Sequence, residues 1–463
     1  MNTTGQYITA QRNLSLMHGL LIAVSLTLGL LVTTSNTLAA TIHVVALPGA
    51  PGCDLVDAIN SANTDSAVGG CAAGTDGLDT ILFSPFFSRY ELSAMAYSHP
   101  SRGSSATPEI ESEIRIVGPG DRLLEIARTL SADSIRLFTV AYNGDLQLEN
   151  LSLQDWRQSG GFDGGTIRVA GELSMTNVEI TGSAASYGGA IWVQSGDAVI
   201  RNSLLQGNSA GQSGGAIGLA ANSSVTILDS TVSGNSATEG AGVSLGAAPN
   251  AQLSIFNSTI TENTALSIGG GITLFTPFVT GQSQGNSVII RNTIIAGNSA
   301  AEGAEVVFIS PGDAQLMDLS HNILGTNALS YGDATNSPLF VGNDNQLLTS
   351  DYHSTALRSI IGPLQDNGGN TMTHALAANS PAIDAGLPFK VSVGFPFAVI
   401  YYHTGCRGSG AELALSLGDY RADQRGVERP LGDECDIGAY EAPAEDACFV
   451  VKAVNNHVLA FCL

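Results

Sequence analysis

The stretch that decides the fold runs from Gly188 to Ile217 and reads GGAIWVQSGDAVIRNSLLQGNSAGQSGGAI. It begins and ends with the same four residues, and the related phrases GGTI and GGGI begin at Gly164 and Gly269. Between the copies lies an asparagine-containing segment that also returns along the chain. Repetition at a period of roughly 20 to 50 residues predicts a solenoid, in which each repeat packs only against its neighbours.

The repeat is built from strands and turns. Its segments alternate β-branched or apolar residues with small polar ones, as in VTILDSTVSG from Val225 to Gly234, and show no helical periodicity. A leucine-rich repeat has a similar period, but it requires leucines at offsets where this chain has Val, Ile, Ser and Thr. We therefore predict an all-β fold, a right-handed parallel β-helix.

Two columns of amide side chains are expected to stack along this β-helix, because identical positions of neighbouring coils lie about 4.8 Å apart. An inward asparagine can hydrogen-bond to its copy and to the bent backbone. The second column follows the first by six residues in four coils. The predicted first ladder is Asn150, Asn177, Asn202, Asp229, Asn257, Asn292 and Asn322, and the second is Asn208, Asn235, Asn263 and Asn298.

The glycine pairs are expected at turns between strands, where glycine permits positive φ and a close approach of the backbone. They serve the architecture and carry no chemistry. The segment from each ladder residue to the next glycine pair is nearly constant in length, whereas the segment after the pair grows, most of all between Leu274 and Ser287. Insertions on one face either mark a binding face or reflect tolerated surface variation.

Composition and charge exclude one class of partner. The chain has 463 residues and a formal net charge of -23, with only 18 Lys and Arg side chains. A groove that binds nucleic-acid phosphates needs a concentration of positive charge, so we expect no nucleic acid as partner. The expected partner is an extracellular polysaccharide or a surface protein.

The N-terminal residues have the layout of a secretory signal peptide. Arg12 and His18 precede an apolar run from Leu20 to Val32, which small residues follow up to Ala40. The sequence thus predicts a signal peptide over 1–39 and a protein that is secreted or displayed on a bacterial cell surface. The alternative, a single membrane anchor, requires a longer apolar run, and no later stretch is long enough.

Six cysteines in an exported protein favour three disulfides over a metal site. None of them has the C-x-x-C spacing of a zinc or redox motif, so no metal site is expected from them. Fifteen connectivities are open to six cysteines, but these fall into three sequence-local couples. The predicted disulfides are Cys53–Cys71, Cys406–Cys435 and Cys448–Cys462.

Both ends of the repeat resemble segments of exported proteins. The residues CDLVDAI from Cys53, with Asn63, Cys71 and GLDTILFS, resemble the CSLREA segment of bacterial exported β-helix proteins, and a helix here is expected to cap the first coil. The stretches Gly362–Gly386 and Asp423–Glu441 are similar to the choice-of-anchor Q domain, and the repeats resemble those of polymorphic outer-membrane proteins. The resemblance implies a right-handed parallel β-helix that is secreted or on the cell surface, without a defined activity.

These features divide the chain into five predicted regions. They are a signal peptide (1–39), an N-terminal cap with the first coils (40–135), the β-helix repeats (136–345), the final coils with the choice-of-anchor Q-like domain (346–442), and a disulfide-closed hairpin (443–463). Dense opposite charges in the fourth region are expected to form an ion-pair network that fixes loops over the last coil, within a disulfide-rich C-terminal cap. These residues are Asp423, Arg425, Arg429, Asp436 and Glu441.

Two functions are open from the sequence. The first is surface display, adhesion, or binding of a glycan or partner, with Trp156 and Trp192 stacking on sugars. The alternative is a polysaccharide lyase or glycoside hydrolase, whose groove would bring its charged residues within roughly 5 to 10 Å of one another. The catalytic candidates are Asp155, Arg157, Arg201 and Asp229. A solvated exterior with isolated charges would show no such convergence.

Calcium is the one cofactor for which the sequence contains candidate ligands. The segments YGDATNSP and GNDNQ contain oxygen ligands of the kind calcium prefers, although turn formation explains the same residues. No other cofactor is expected, and the oligomeric state is left open.

Overall fold

The structure is a computed structural model. It describes residues 39–129, 134–246, 249–275, 286–309, 317–325, 329–331, 346–347, 357–386, 390–393, 400–403, 422–431, 435–443, 449–452 and 458–461. The predicted signal peptide lies outside the described residues, apart from its last position. Within the described residues, no helix has the length and apolar character needed to cross a bilayer.

The described chain contains one helix and 38 strands. The first elements are β1 (Thr41–Val44), α1 (Leu55–Thr64), β2 (Asp79–Phe83), β3 (Arg89–Leu92), β4 (Tyr97–His99), β5 (Gly103–Ser105), β6 (Glu113–Val117), β7 (Leu124–Arg128) and β8 (Phe138–Val140). The repeats comprise β9 (Asp145–Gln154), β10 (Ile167–Val169), β11 (Glu172–Thr181), β12 (Ala184–Tyr187), β13 (Ile191–Val193), β14 (Gly196–Arg201), β15 (Leu204–Gln206), β16 (Ser209–Ser213), β17 (Ile217–Leu219), β18 (Ser223–Leu228), β19 (Thr231–Ser233), β20 (Ser236–Glu239), β21 (Val243–Leu245), β22 (Gln252–Phe256), β23 (Thr259–Thr261), β24 (Thr264–Ile268), β25 (Ile272–Phe275), β26 (Ser287–Arg291), β27 (Ile294–Ile295), β28 (Val306–Ile309), β29 (Met317–Ser320), β30 (Ile323–Leu324), β31 (Leu329–Tyr331) and β32 (Gln346–Leu347). The last elements are β33 (Ile361–Gln365), β34 (Thr373–Leu376), β35 (Lys390–Val393), β36 (Ile400–His403), β37 (Phe449–Lys452) and β38 (Val458–Phe461).

Each coil passes through three parallel sheets. The first sheet contains β9, β11 and the half-strands β14 with β15, β18 with β19, β22 with β23 and β26 with β27. The second sheet is β12, β16, β20 and β24, and the third is β8, β10, β13, β17, β21, β25, β28 and β31. Neighbouring coils pair in parallel register, for example Ile167 with Ile191 and Ile191 with Ile217. The all-β parallel β-helix is thus confirmed, with about seven turns.

The first amide ladder bends the first sheet into two halves. Its six residues from Asn150 to Asn292 all adopt the left-handed conformation, with φ between 44° and 55°, which Asn and Asp tolerate better than most residues. The prediction is wrong by one residue in the last coil, where His321 has φ of 54°. Asn322 instead accepts the backbone N–H of Thr293 at 2.9 Å.

The second amide ladder is continuous and buried. The Nδ2 atoms of Asn208, Asn235 and Asn263 each donate to the Oδ1 atom of the next asparagine, at 3.0, 2.9 and 2.9 Å. Each amide also donates to a backbone carbonyl of the preceding coil. The ladder ends where Asn298 donates to Oε2 of Glu305 at 2.6 Å. Every coil therefore satisfies its bent backbone through the coil beside it.

The glycine pairs form the turns into the third sheet, as predicted. Gly188 has a φ of 57°, and Gly189 has no room for a side chain, because an added Cβ would lie 2.2 Å from the carbonyl oxygen of Gly215. The backbones of adjacent coils meet at this turn. Only glycine fits both requirements.

An apolar core runs from the first strand to the last described coils. At its N-terminal end, α1 packs against β1 and β6 through buried Leu55, Ala58 and Ile59. Asp54 caps this helix by accepting the N–H of Asp57 at 2.9 Å, and Cys53 and Cys71 form a disulfide beside it. The predicted capping helix and the first predicted disulfide are confirmed.

The described C-terminal residues pack along the side of the coils. The Asn202 amide donates to the carbonyl oxygen of Asp423 at 2.8 Å, and the Gly438 N–H donates to the carbonyl oxygen of Asn292 at 2.8 Å. These contacts correct the expectation that the charged network lies over the last coil. We call residues 357–386 and 422–443, where described, the flank segment.

Apolar and charged contacts both hold the flank segment in place. Ile360, Ile361 and Ile437 join a buried cluster with Ile294 and Ile323 of the coils. This burial explains why the segment lies on the side of the coils, since it covers the apolar outer face of their second half-strands. The predicted ion pairs do form within it, between Arg425 and Asp423 at 2.5 Å and between Arg429 and Glu441 at 3.3 Å.

The remaining cysteines are described only in part. Cys435 is disulfide-bonded, whereas Cys406, Cys448 and Cys462 lie outside the described residues. Strands β37 and β38 pair antiparallel, so the predicted C-terminal hairpin is present. Its closure by a disulfide stays a prediction.

Candidate functional site

The four catalytic candidates do not converge. Asp155 and Arg157 follow β9, whereas Asp229 follows β18, three coils further along. Three coil spacings of about 4.8 Å separate these positions by about 14 Å along the axis alone. Arg201 lies next to Asp229, since Arg201 pairs in register with Leu228. The separation exceeds the one that paired catalytic groups require.

Asp229 is inaccessible to a polymer. Its side chain is buried beneath the flank segment, with Oδ1 3.7 Å from the Arg429 guanidinium. Desolvation raises the pKa of Asp229 to about 7, and the charge of Arg429 opposes this rise. Such a covered pair holds the flank segment to the coils. It offers no surface on which a substrate could bind.

Trp156 belongs to the core. Its ring is 0% exposed, and its Nε1 donates to the carbonyl oxygen of Ile126 at 3.1 Å. The structure therefore places it where no sugar can stack. Arg157, the next residue, is exposed, and Asp155 is half-buried with a φ of 61° at the second bend of its coil.

Trp192, the other tryptophan proposed from the sequence to stack on sugars, lies at the surface. It occupies the outward position of β13 in the third sheet, and its ring is partly exposed. The indole lies over Gly218 of the next coil, where an added Cβ would be 2.6 Å from a ring carbon. Nε1 donates to Oε1 of Gln194 at 3.1 Å, and the Tyr187 ring lies 5.6 Å away at 50°. Trp192 and Tyr187 together form an aromatic platform.

A cleft of about 290 Å³ adjoins this platform at Tyr187, and its lining residues come from the second and the third sheet. The rings of Tyr187 and Phe275 line the cleft together with polar side chains and Gly246. We call Trp192 and the cleft the aromatic groove. Its lining residues are Tyr187, Gln212, Ser213, Thr238, Glu239, Gly246 and Phe275.

The groove is partly preorganised by hydrogen bonds between coils. The Tyr187 hydroxyl donates to Oε1 of Gln212 at 2.5 Å, which leaves the Gln212 amide N–H groups directed to other acceptors. Thr238 donates to the carbonyl oxygen of Gly211 at 2.9 Å. Rings fixed beside amides, hydroxyls and one carboxylate can stack on a sugar and bind its hydroxyl groups.

A charged cluster lies beyond Trp192, on the side away from the cleft. Arg168 pairs in register with Trp192 and donates to the same Gln194 oxygen at 3.3 Å. Arg136 is fully buried, and desolvation lowers the pKa of its guanidinium to about 9. It donates to the carbonyl oxygens of Asp163 and Gly164. The cluster therefore fixes the loop before β10.

One repeat column supplies three of the seven residues that line the cleft, and the sequence contained that signal. Tyr187, Ser213 and Glu239 each precede a glycine that begins the turn into the third sheet. These residues were not predicted from the sequence, because the glycine pairs beside them were interpreted only as turns. The predicted insertion at Leu274–Ser287 does begin at the groove, because Phe275 is its second residue. Residues 276–285 lie outside the described part.

No metal-binding arrangement is present in the described residues, among which no group of three or more His, Cys, Asp or Glu side chains converges. The segments YGDATNSP and GNDNQ lie almost wholly outside those residues, so calcium binding there stays a prediction.

No family model matches the chain, and no curated protein matches it. The β-helix fold is compatible with surface or binding proteins and with enzymes that act on polysaccharides.

Proposed function

We propose that this chain is an exported β-helix protein that binds a glycan through the aromatic groove, in surface display or adhesion. The observation that carries this proposal is the pair of interacting rings, Trp192 and Tyr187, of which Tyr187 also lines a cleft with polar side chains. Aromatic rings that can stack on a sugar, placed beside hydrogen-bonding groups, are a common arrangement in carbohydrate-binding sites.

Export is supported by sequence and structure together. The predicted signal peptide precedes a domain with a disulfide between Cys53 and Cys71, and disulfides persist in oxidising compartments. We propose the five regions given above, with CSLREA-like and choice-of-anchor Q-like segments at the two ends of the repeat. The covered flank segment fits the second of these, since its two sequence motifs pack together on the coils.

Catalysis is not what the groove favours. Among its described lining residues Glu239 is the only carboxylate, whereas hydrolysis uses two. The four sequence candidates lie elsewhere or under the flank segment. A glycan-binding role requires neither a pair of carboxylates nor the convergence of those four candidates.

Binding of the purified protein to a panel of neutral and acidic polysaccharides tests the proposal, by affinity electrophoresis and by tryptophan fluorescence. Trp192 is the more exposed of the two tryptophans, so bound sugar should change its emission. Trp192→Ala and Tyr187→Ala should each weaken binding by about tenfold, as expected for loss of roughly 1.4 kcal/mol of ring contact.

The matched control is Tyr142→Ala, which removes an 84% exposed ring outside the groove and should leave binding unchanged. If no polysaccharide binds, or if the Trp192 and Tyr142 variants bind alike, the proposal is wrong. New reducing ends or unsaturated products in the same incubations would instead establish catalysis.

A further inference from the structure

We propose that the aromatic groove selects uncharged glycans and rejects polymers of uronic acids. This inference rests on the proposed function and specifies its ligand class. It follows from the charges that line the groove and from the position of the nearest cations.

The only charged side chain among the described lining residues is the carboxylate of Glu239. It forms no ion pair with any residue that the structure describes. A carboxylate of this kind accepts charge-assisted hydrogen bonds from sugar hydroxyls. The same group repels the carboxylate of a uronate that lies in the cleft.

Arg168, which pairs in register with Trp192 on the third sheet, is not positioned to bind a uronate. Arg168 is only 9% exposed, and its guanidinium already donates to Gln194. Asp163 and Glu109 supply the negative charge that it faces. The other guanidinium groups of this cluster are also engaged, since Arg102 pairs with Glu109 at 2.9 Å and the buried Arg136 donates to the carbonyl oxygens of Asp163 and Gly164. Each guanidinium group of this cluster is thus already engaged within the protein.

The remaining polar groups of the groove suit hydroxyl groups. Gln212 keeps its amide N–H groups for other acceptors because its oxygen accepts from Tyr187. Ser213 adds a hydroxyl to the lining. Together with Glu239, these residues can donate hydrogen bonds to a neutral sugar and accept hydrogen bonds from its hydroxyl groups. The net charge of -23 adds a repulsion of acidic polymers that acts beyond the contact distance, within a Debye length of about 8 Å.

The test uses chemically matched polymers. Polygalacturonate and alginate are each compared with the same polymer after reduction of its carboxyl groups to primary alcohols, alongside neutral galactan, glucan and mannan. We expect the purified protein to bind at least one neutral or reduced polymer about tenfold more tightly than the acidic counterpart. Trp192→Ala should weaken this binding by about tenfold.

Glu239→Gln identifies the groove carboxylate as the cause. The variant should bind acidic polymers several-fold better and neutral polymers more weakly, so that the discrimination shrinks. Asp197→Asn is the control, because it makes the same change in net charge at an exposed position of the first sheet. It should leave the discrimination as it is.

The two proposals fail in different ways. Trp192-dependent binding that is equal or tighter for the acidic polymer would overturn the specificity and leave glycan binding intact. Unchanged discrimination in Glu239→Gln would overturn the role of this carboxylate in the specificity. Absence of binding to every polymer would overturn both.

Discussion

A buried carboxyl group at the end of the second amide ladder makes the stability of this protein depend on pH. Glu305 is 0% exposed. Its Oε2 accepts from Asn298, while Oε1 has no described hydrogen-bond partner. Desolvation raises the pKa of Glu305 to about 8, and hydrogen bonds from Asn298 and from the backbone of Gly297 offset this only in part. The perturbation that removes the charge and keeps the shape is Glu305→Gln.

The sign of the effect follows from proton binding. Between the ordinary pKa of 4.5 and about 8, the folded protein holds a proton that the unfolded chain has released. The stability contributed by this group is therefore complete below pH 4.5 and is lost as the pH rises towards 8. A rise of the pKa from 4.5 to about 8 corresponds to at most about 5 kcal/mol. The Glu305→Gln variant should not show this loss of folding stability as the pH rises.

Urea unfolding at pH 5, 7 and 9, followed by circular dichroism, measures the effect. At pH 5 the two proteins should have similar midpoints, and at pH 9 the variant should be the more stable by up to a few kcal/mol. Other buried acids such as Asp229 titrate in both proteins and cancel in the comparison. The control is Glu172→Gln, at an exposed carboxylate. Parallel midpoints of wild type and Glu305→Gln from pH 5 to pH 9 would refute the reasoning.

Two further predictions concern the architecture. Gly215→Ala should destabilise the coils by several kcal/mol or prevent folding, because the new Cβ would lie 2.3 Å from the carbonyl oxygen of Ala241. Thermal unfolding measures the effect. The control is Gly211→Ala, whose Cβ would meet nothing closer than 3.9 Å. Equal melting temperatures would contradict the backbone contact. Arg429→Met leaves Glu441 and Asp229 buried without their cation and should loosen the flank segment at a cost of about 3 to 5 kcal/mol. Hydrogen exchange should then rise over 422–443 and stay slow in the first sheet, whereas Arg89→Ala, at an exposed pair, should change neither.

The sequence predicted the fold well because repetition reports it directly. A solenoid repeats one local arrangement, so its period, glycine pairs and asparagine columns each appear several times in the chain. The error at Asn322 arose because His321 takes the left-handed position there, and an adjacent asparagine matched the pattern. Residue type alone could not distinguish the two.

The site was predicted less well, since it depends on which residues face outward. Trp156 and Trp192 are alike in sequence, yet one lies in the core and the other on the third sheet. The flank segment was also beyond sequence reasoning. Its contact with the coils joins residues about 220 positions apart, such as Asn202 and Asp423, and no periodic pattern links such positions.

The flank segment also imposes an order on the assembly of this protein. The coils from β9 to β27 precede it in the chain, and each coil needs only its neighbours to form its sheets. Asp229 and the carbonyl oxygen of Asn292 therefore face water until residues 422–443 arrive and cover them. Since burial then raises the pKa of Asp229 to about 7, covering this carboxylate is coupled to proton uptake, which is complete only below neutral pH. The equilibrium for docking of the flank segment onto the coils therefore depends on the pH of the compartment in which the chain folds.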